Sequence, residues 1–140
     1  MSMAPHHPLI VIVDDDTNVR DSLRGLMRSL GYEAEAFGSV EALRAAALPV
    51  RIDCLLLDIR LPGQDGLDYY EELVRAGGAP PAVFISGHAS AEIKERACRA
   101  GAIACFLKPA RGQDLIDAIA KAIAGGGVRP GEAASGAAPP

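Results

Sequence analysis

A chain of 140 residues that is 49% hydrophobic and 23% charged has the size and composition of one globular domain with one core. Its net charge of −4 and scattered arginines give no basic stripe for nucleic-acid backbone. No apolar run is long enough to span a bilayer, and the N-terminus lacks the charged-then-apolar pattern of a secretory signal.

The first strand-like run is PLIVIVDDD (residues 8–16), apolar and β-branched until it meets three aspartates, as expected of a strand buried on both faces. Val19, Leu23, Leu26, Met27 and Leu30 then recur at spacings of three and four, which is one helix face. Asp16 or Thr17 can cap its start and Gly31 its end. YEAEAF (32–37) alternates small or aromatic residues with acids, the pattern of a half-exposed edge strand. Ser39 caps a short helix carrying Val40, Leu43 and Ala47. IDCLLLD (52–58) is a second fully buried run. PGQDG (62–66) is a tight turn in which Pro62 presets φ and Gly63 and Gly66 admit positive φ. It lacks the GxxxxGK[ST] spacing of a nucleotide-binding loop.

Leu67, Tyr70, Leu73 and Val74 mark a third helix, closed by Gly77-Gly78. PAVFIS (81–86) is a fourth strand, and Ser90 caps a helix carrying Ile93, Ala97 and Ala100. IACFLK (103–108) is a fifth strand, and Leu115, Ile119 and Ile123 mark the last helix. Residues 1–7 read as a disordered leader and 125–140, GGGVRPGEAASGAAPP, as a flexible tail or linker. With an aromatic content of 4% and no Trp, the core between them is aliphatic. Cys54, Cys98 and Cys105 have no metal-type spacing and read as reduced thiols of a cytosolic protein.

Five strands alternating with five helices predict an α/β fold, a parallel sheet covered on both faces. The two continuous apolar runs belong at its centre and the mixed second strand at an edge. The doubly wound order 2-1-3-4-5 meets both demands with right-handed crossovers. In such a sheet, ligands bind beyond the carboxyl ends of the strands, where the order reverses. There the first strand delivers Asp14 and Asp15, the third Asp58, the fourth Ser86 and the fifth Lys108, followed by Pro109. Two carboxylates about 4 Å apart repel by about 4 kcal/mol at an effective dielectric near 20. Such a cluster calls for a retained proton or a cation. Hard oxygen ligands without His or Cys suit Mg²⁺.

VIVDDD, VRDSLRGLMRSLGY, CLLLDIRLPGQDGLD, FISGHAS, RAGA and FLKP follow one another across residues 8–124. In that order and at those separations they resemble a response-regulator receiver domain of two-component signalling, most closely the FixJ-like subgroup. The resemblance implies the flavodoxin-like form of the predicted sheet and a phosphoprotein of the cytoplasm. It makes Asp58 the phospho-acceptor, supplied by a histidine kinase or phosphotransfer protein. Asp15 would coordinate Mg²⁺ directly, Asp14 through water, and the backbone carbonyl of Arg60 would be a further ligand. Ser86 takes the place of the switch hydroxyl and Lys108 that of the family's lysine, whose bond to the following proline is commonly cis. A homodimer through the face formed by helix four, strand five and helix five is a further expectation.

Two positions depart from the family pattern. Cys105 stands where a Tyr or Phe is usual, and Ala110 where KPF is common. Phe106 faces the other side of its strand, because side chains alternate. The competing readings are a small Mg²⁺-dependent phosphohydrolase with an aspartyl-phosphate intermediate and a degenerate receiver that only docks. A hydrolase of that kind needs an acid two residues after its nucleophile, where this chain has Arg60. The complete set Asp14, Asp15, Asp58, Ser86 and Lys108 argues against the docking-only reading.

Overall fold

The computed structural model describes residues 7–48, 51–88 and 90–125. Residues 1–6 of the expected leader and 126–140 of the expected tail lie outside these. His7 is described, with its ring Nδ1 3.2 Å from the Gly31 carbonyl oxygen.

The elements alternate as the periodicities predict: β1 (Leu9–Val13), α1 (Thr17–Ser29), β2 (Glu33–Phe37), α2 (Val40–Ala46), β3 (Cys54–Asp58), α3 (Gly66–Arg75), β4 (Ala82–Ser86), α4 (Ala91–Arg99), β5 (Ala104–Leu107) and α5 (Gly112–Ala124). Every strand pair is parallel and the order is β2-β1-β3-β4-β5. The continuous apolar runs of β1, β3 and β4 are buried throughout, while β2 and β5 at the edges are only partly covered. The observed strands are shorter than the apolar runs suggested. The first ends at Val13, so its aspartates lie in the loop beyond it.

The two-residue period of the strands sorts the core into two layers. Leu9, Val11, Val13, Leu55, Leu57 and Phe84 face α2, α3 and α4 through Val40, Leu43, Leu67, Tyr70 and Ala97. Ile10, Ile12, Leu56, Val83 and Ile85 face α1 and α5 through Leu23, Met27, Leu115 and Ile119. Cys105 packs against the first layer and Phe106 against the second, as the alternation predicts. Tyr70 meets Phe84 edge-on, with ring centres 5.6 Å apart, and its hydroxyl donates to the Pro80 carbonyl.

The caps follow their side chains. Asp16, Ser39, Asp65 and Ser90 each accept amide hydrogens in the first turn of α1, α2, α3 and α4, removing orphan donors there. Ala47 closes α2 in the left-handed region at φ 46°, so it ends that helix instead of continuing its face.

At the amino end of the sheet, Asp53 is buried. Its Oδ2 accepts the Leu9 amide at 2.8 Å, and its own amide donates to the Leu9 carbonyl at 2.9 Å. Replacing it by alanine leaves the Leu9 N–H buried without that acceptor, a loss of about 1–3 kcal/mol. Urea unfolding of Asp53→Ala is expected to show that loss as a lower midpoint with an unchanged slope. A loss below about 0.5 kcal/mol, the scale of an ordinary surface change, would show that this bond does not anchor β1.

Candidate functional site

The register of the sheet creates the site. Val13 pairs with Leu57, so the next residues, Asp14 and Asp58, leave neighbouring strands side by side. Asp14 is 1% exposed. Its amide donates to the Phe37 carbonyl at 3.0 Å, and its Oδ1 accepts the Asp16 amide at 2.9 Å. Its carbonyl accepts Arg20 Nη1 at 2.7 Å. The three consecutive aspartates thus divide their work: Asp14 is buried at the strand end, Asp15 is exposed, and Asp16 caps α1.

Asp58 is 4% exposed. Its Oδ1 accepts the Arg60 amide at 3.0 Å and its Oδ2 accepts Lys108 Nζ at 2.8 Å. The same ammonium lies 2.7 Å from Asp14 Oδ2, a buried oxygen that makes no directed hydrogen bond. One carboxylate oxygen from each of Asp14, Asp15 and Asp58 lies within 4.8 Å of the others.

Burial pushes the Asp58 carboxyl up from its usual range. The Lys108 hydrogen bond opposes that shift, and the charge of Asp14 adds to it. Burial works against the Lys108 ammonium, but its contacts with Asp14 and Asp58 outweigh burial and hold its pKa above normal. Three acids against one ammonium leave the cluster net negative. A hard divalent cation with oxygen preference fits that donor set.

The loop after β3 is shaped by two glycines for different reasons. Gly63 has φ 77°, as the turn reading predicts. Gly66 does not: its φ is not positive, and its constraint is a close approach. A Cβ there would lie 2.1 Å from the Asp58 carbonyl oxygen, and its amide donates to the Ile59 carbonyl. Asp65 serves as the cap of α3, accepting the Asp68 amide at 2.7 Å.

Ser86 is fully buried at the end of β4. Its Oγ donates to the His88 carbonyl at 3.1 Å and accepts the His88 amide at 3.2 Å. Lys108 reaches Ser86 through the backbone, its amide donating to the Ser86 carbonyl at 2.8 Å; its ammonium goes to the acids instead. The Lys108-Pro109 bond is cis. Ala110 lines a groove of about 550 Å³ with Val19, Leu23, Ile85, Pro109 and Leu115, and Lys108 links this groove to the acids.

Sequence reasoning thus located Asp14, Asp15, Asp58, Ser86 and Lys108 at one end of the sheet. It missed Arg20. Nothing but its position one turn after Asp16 signals that its guanidinium turns back onto the loop, bonding the Asp14 carbonyl and Thr17 Oγ1.

The family described as response regulator receiver domain matches residues 10–120. Nodulation protein W of Bradyrhizobium diazoefficiens is 42% identical over 114 residues, covering 81% of this chain and 50% of that protein. The transcriptional regulatory protein FixJ of the same species is 29% identical over 114 residues, covering 81% of this chain and 56% of that protein. The chain therefore spans about half the length of these relatives. Among solved structures, a CheY-like receiver domain from Methanospirillum hungatei superposes with a TM-score of 0.76 at 30% identity, covering 86% of this chain and 96% of that one.

A carboxyl whose pKa is raised by folding binds its proton more tightly in the folded state. Its stabilising contribution is complete below the unfolded carboxyl pKa of about 4 and is lost as the pH rises through the raised value. At neutral pH, ionised Asp58 therefore weighs against the metal-free fold. Asp58→Asn, which removes that charge, is expected to raise the melting temperature of the protein in EDTA at pH 7. The gain should shrink as the pH is lowered toward about 4. Melting curves across that range check it, and a destabilised variant at pH 7 would contradict it.

Proposed function

The chain belongs to the response regulator receiver domain family, and on that premise we propose that Asp58 is the residue through which it receives its signal. It is a receiver domain of a two-component system, a signalling domain whose family works with histidine kinases or other phosphodonors. The observation that carries the proposal is the convergence of Asp14 and Lys108 on Asp58 at a strand end.

In this reading a carboxylate oxygen of Asp58 attacks phosphorus in line, forming an acyl phosphate. The phosphorus–nitrogen bond of a phosphohistidine breaks, and the imidazole leaves with the electron pair. Asp14, Asp15 and Asp58, with the Arg60 carbonyl, would hold Mg²⁺. Bound there, the ion offsets the repulsion between carboxylate and phosphoryl oxygens. Lys108 keeps its charge because two carboxylates hold it, so it can move from Asp58 Oδ2 to a phosphoryl oxygen. The Arg60 amide fixes the orientation of the carboxylate through Oδ1. Ser86 Oγ exchanges its bonds to His88 for one to the phosphoryl group, and the loop into α4 moves with it.

Multiple-turnover hydrolysis is not part of this proposal: the residue two positions after Asp58 is Arg60, not an acid. The cytoplasm is the compartment in which a histidine kinase would meet the site. Leu107, 50% exposed on β5, supports the α4–β5–α5 face as the surface of a homodimer.

Acetyl phosphate or phosphoramidate with Mg²⁺ is expected to add one phosphoryl group to the intact mass. EDTA or Asp58→Asn should abolish the adduct. An adduct that persists in Asp58→Asn and maps elsewhere would overturn the assignment. Steady turnover of p-nitrophenyl phosphate would favour the hydrolase reading instead.

A further inference from the structure

Residues 59–65 join Asp58 to α3, and α2 grips the crest of this loop from outside. Glu41 and Arg44 lie one turn apart on α2, and both reach Gln64. Glu41 Oε2 accepts the Gln64 amide at 3.1 Å, and Arg44 Nη2 donates to Gln64 Oε1 at 2.8 Å. The same Arg44 nitrogen donates to Glu72 of α3 at 2.6 Å, and its guanidinium carbon lies 5.3 Å from the centre of the Tyr69 ring. The Glu41 carboxylate also lies against the backbone of Gly63, where a Cβ would come within 2.8 Å of Oε2. Amide donors at Glu41 itself and at Gln64 hold its carboxyl below the usual range. At the near end of the loop, the Arg60 amide is committed to Asp58 Oδ1. Main chain and side chain of one loop residue are therefore read by two side chains of another helix, four residues beyond the amide that orients Asp58.

We propose that Glu41 and Arg44 are positioning residues for the Asp58 site. By gripping Gln64 they keep the Arg60 amide on Asp58 Oδ1 and so preset the carboxylate that receives cation and phosphoryl group. This rests on the reading of Asp14, Asp15 and Asp58 as a Mg²⁺ site. The physical basis is preorganisation: a group that must hold one orientation to bind a metal binds it more tightly when its neighbours already impose that orientation. Exposed pairs such as these add little to global stability, so their effect should be seen at the site and not in the melt.

The test uses the full chain, isotopically labelled, with Mg²⁺ as the probe. In Glu41→Ala/Arg44→Ala, the Mg²⁺ dissociation constant read from amide shifts is expected to rise about three- to tenfold, near the low end of what outer partners of metal ligands contribute. In the metal-free protein, hydrogen exchange at Arg60 and Gln64 should accelerate. The melting temperature should stay within about 2 °C of wild type. Glu41→Gln keeps an acceptor for the Gln64 amide and should retain most of the affinity. A dissociation constant within about twofold of wild type in the double variant, below the range outer partners exert, overturns the proposal while leaving the cation site intact. So does weakened binding with an unchanged Arg60 amide. A wild-type chain that binds no Mg²⁺ overturns the cation reading and this proposal with it.

Discussion

Everything at the carboxyl end of this sheet depends on one arrangement: two buried carboxylates, Asp14 and Asp58, facing a single ammonium, that of Lys108. Parallel pairing of β1 with β3 places the acids side by side. Repulsion of about 4 kcal/mol at 4 Å in a medium of intermediate dielectric would oppose the fold if left alone. Lys108 offsets it from 2.7 and 2.8 Å, but one positive charge cannot balance three acids. The remaining imbalance is what a divalent cation, and then a phosphoryl group held with it, would exploit.

The surrounding structure can be understood as what keeps that unfavourable cluster in place. Asp14 is pinned by the Phe37 carbonyl, the Asp16 amide and Arg20. Asp58 is pinned by the Arg60 amide, and its carbonyl lies so close to Gly66 that no side chain fits there. Beneath these groups lie two apolar layers in which β1, β3 and β4 are wholly buried. A charged site carried at the strand ends of an apolar scaffold is a common division of labour in proteins.

How much of this was legible in the sequence follows from the range of each interaction. Helices announced themselves because burial of one face imposes a period of 3.6, as in Leu23–Met27, and the central strands because burial on both faces makes the runs through Val11 and Leu56 continuously apolar. The sheet order followed from which runs were wholly apolar. The site residues followed because a carboxylate ending a buried run, as Asp58 does, has few purely structural explanations. What stayed hidden depends on tertiary distance. Gly66 looked like a turn glycine, yet its constraint is the carbonyl of Asp58, eight residues away. Arg20, Glu41 and Arg44 carry no signal in the sequence, since no spacing rule tells a guanidinium that faces water from one that bends back onto a loop. Ser86 lies at the end of β4, where the sequence puts it, but that its hydroxyl bonds the backbone of His88 carries no sequence signal.

The central claim, that Lys108 and a cation share the task of neutralising these acids, is tested most directly by Lys108→Met, which keeps the aliphatic stem and removes the charge. Melting of the full chain is compared with wild type in EDTA and in saturating Mg²⁺. Without metal the variant is predicted to melt about 4 °C or more below wild type, the shift that about 1 kcal/mol produces in a domain of this size. In Mg²⁺ most of that difference should vanish, because the ion takes over the charge that the side chain supplied. A variant that melts with wild type in EDTA, or one that gains no more from Mg²⁺ than wild type does, would contradict the account.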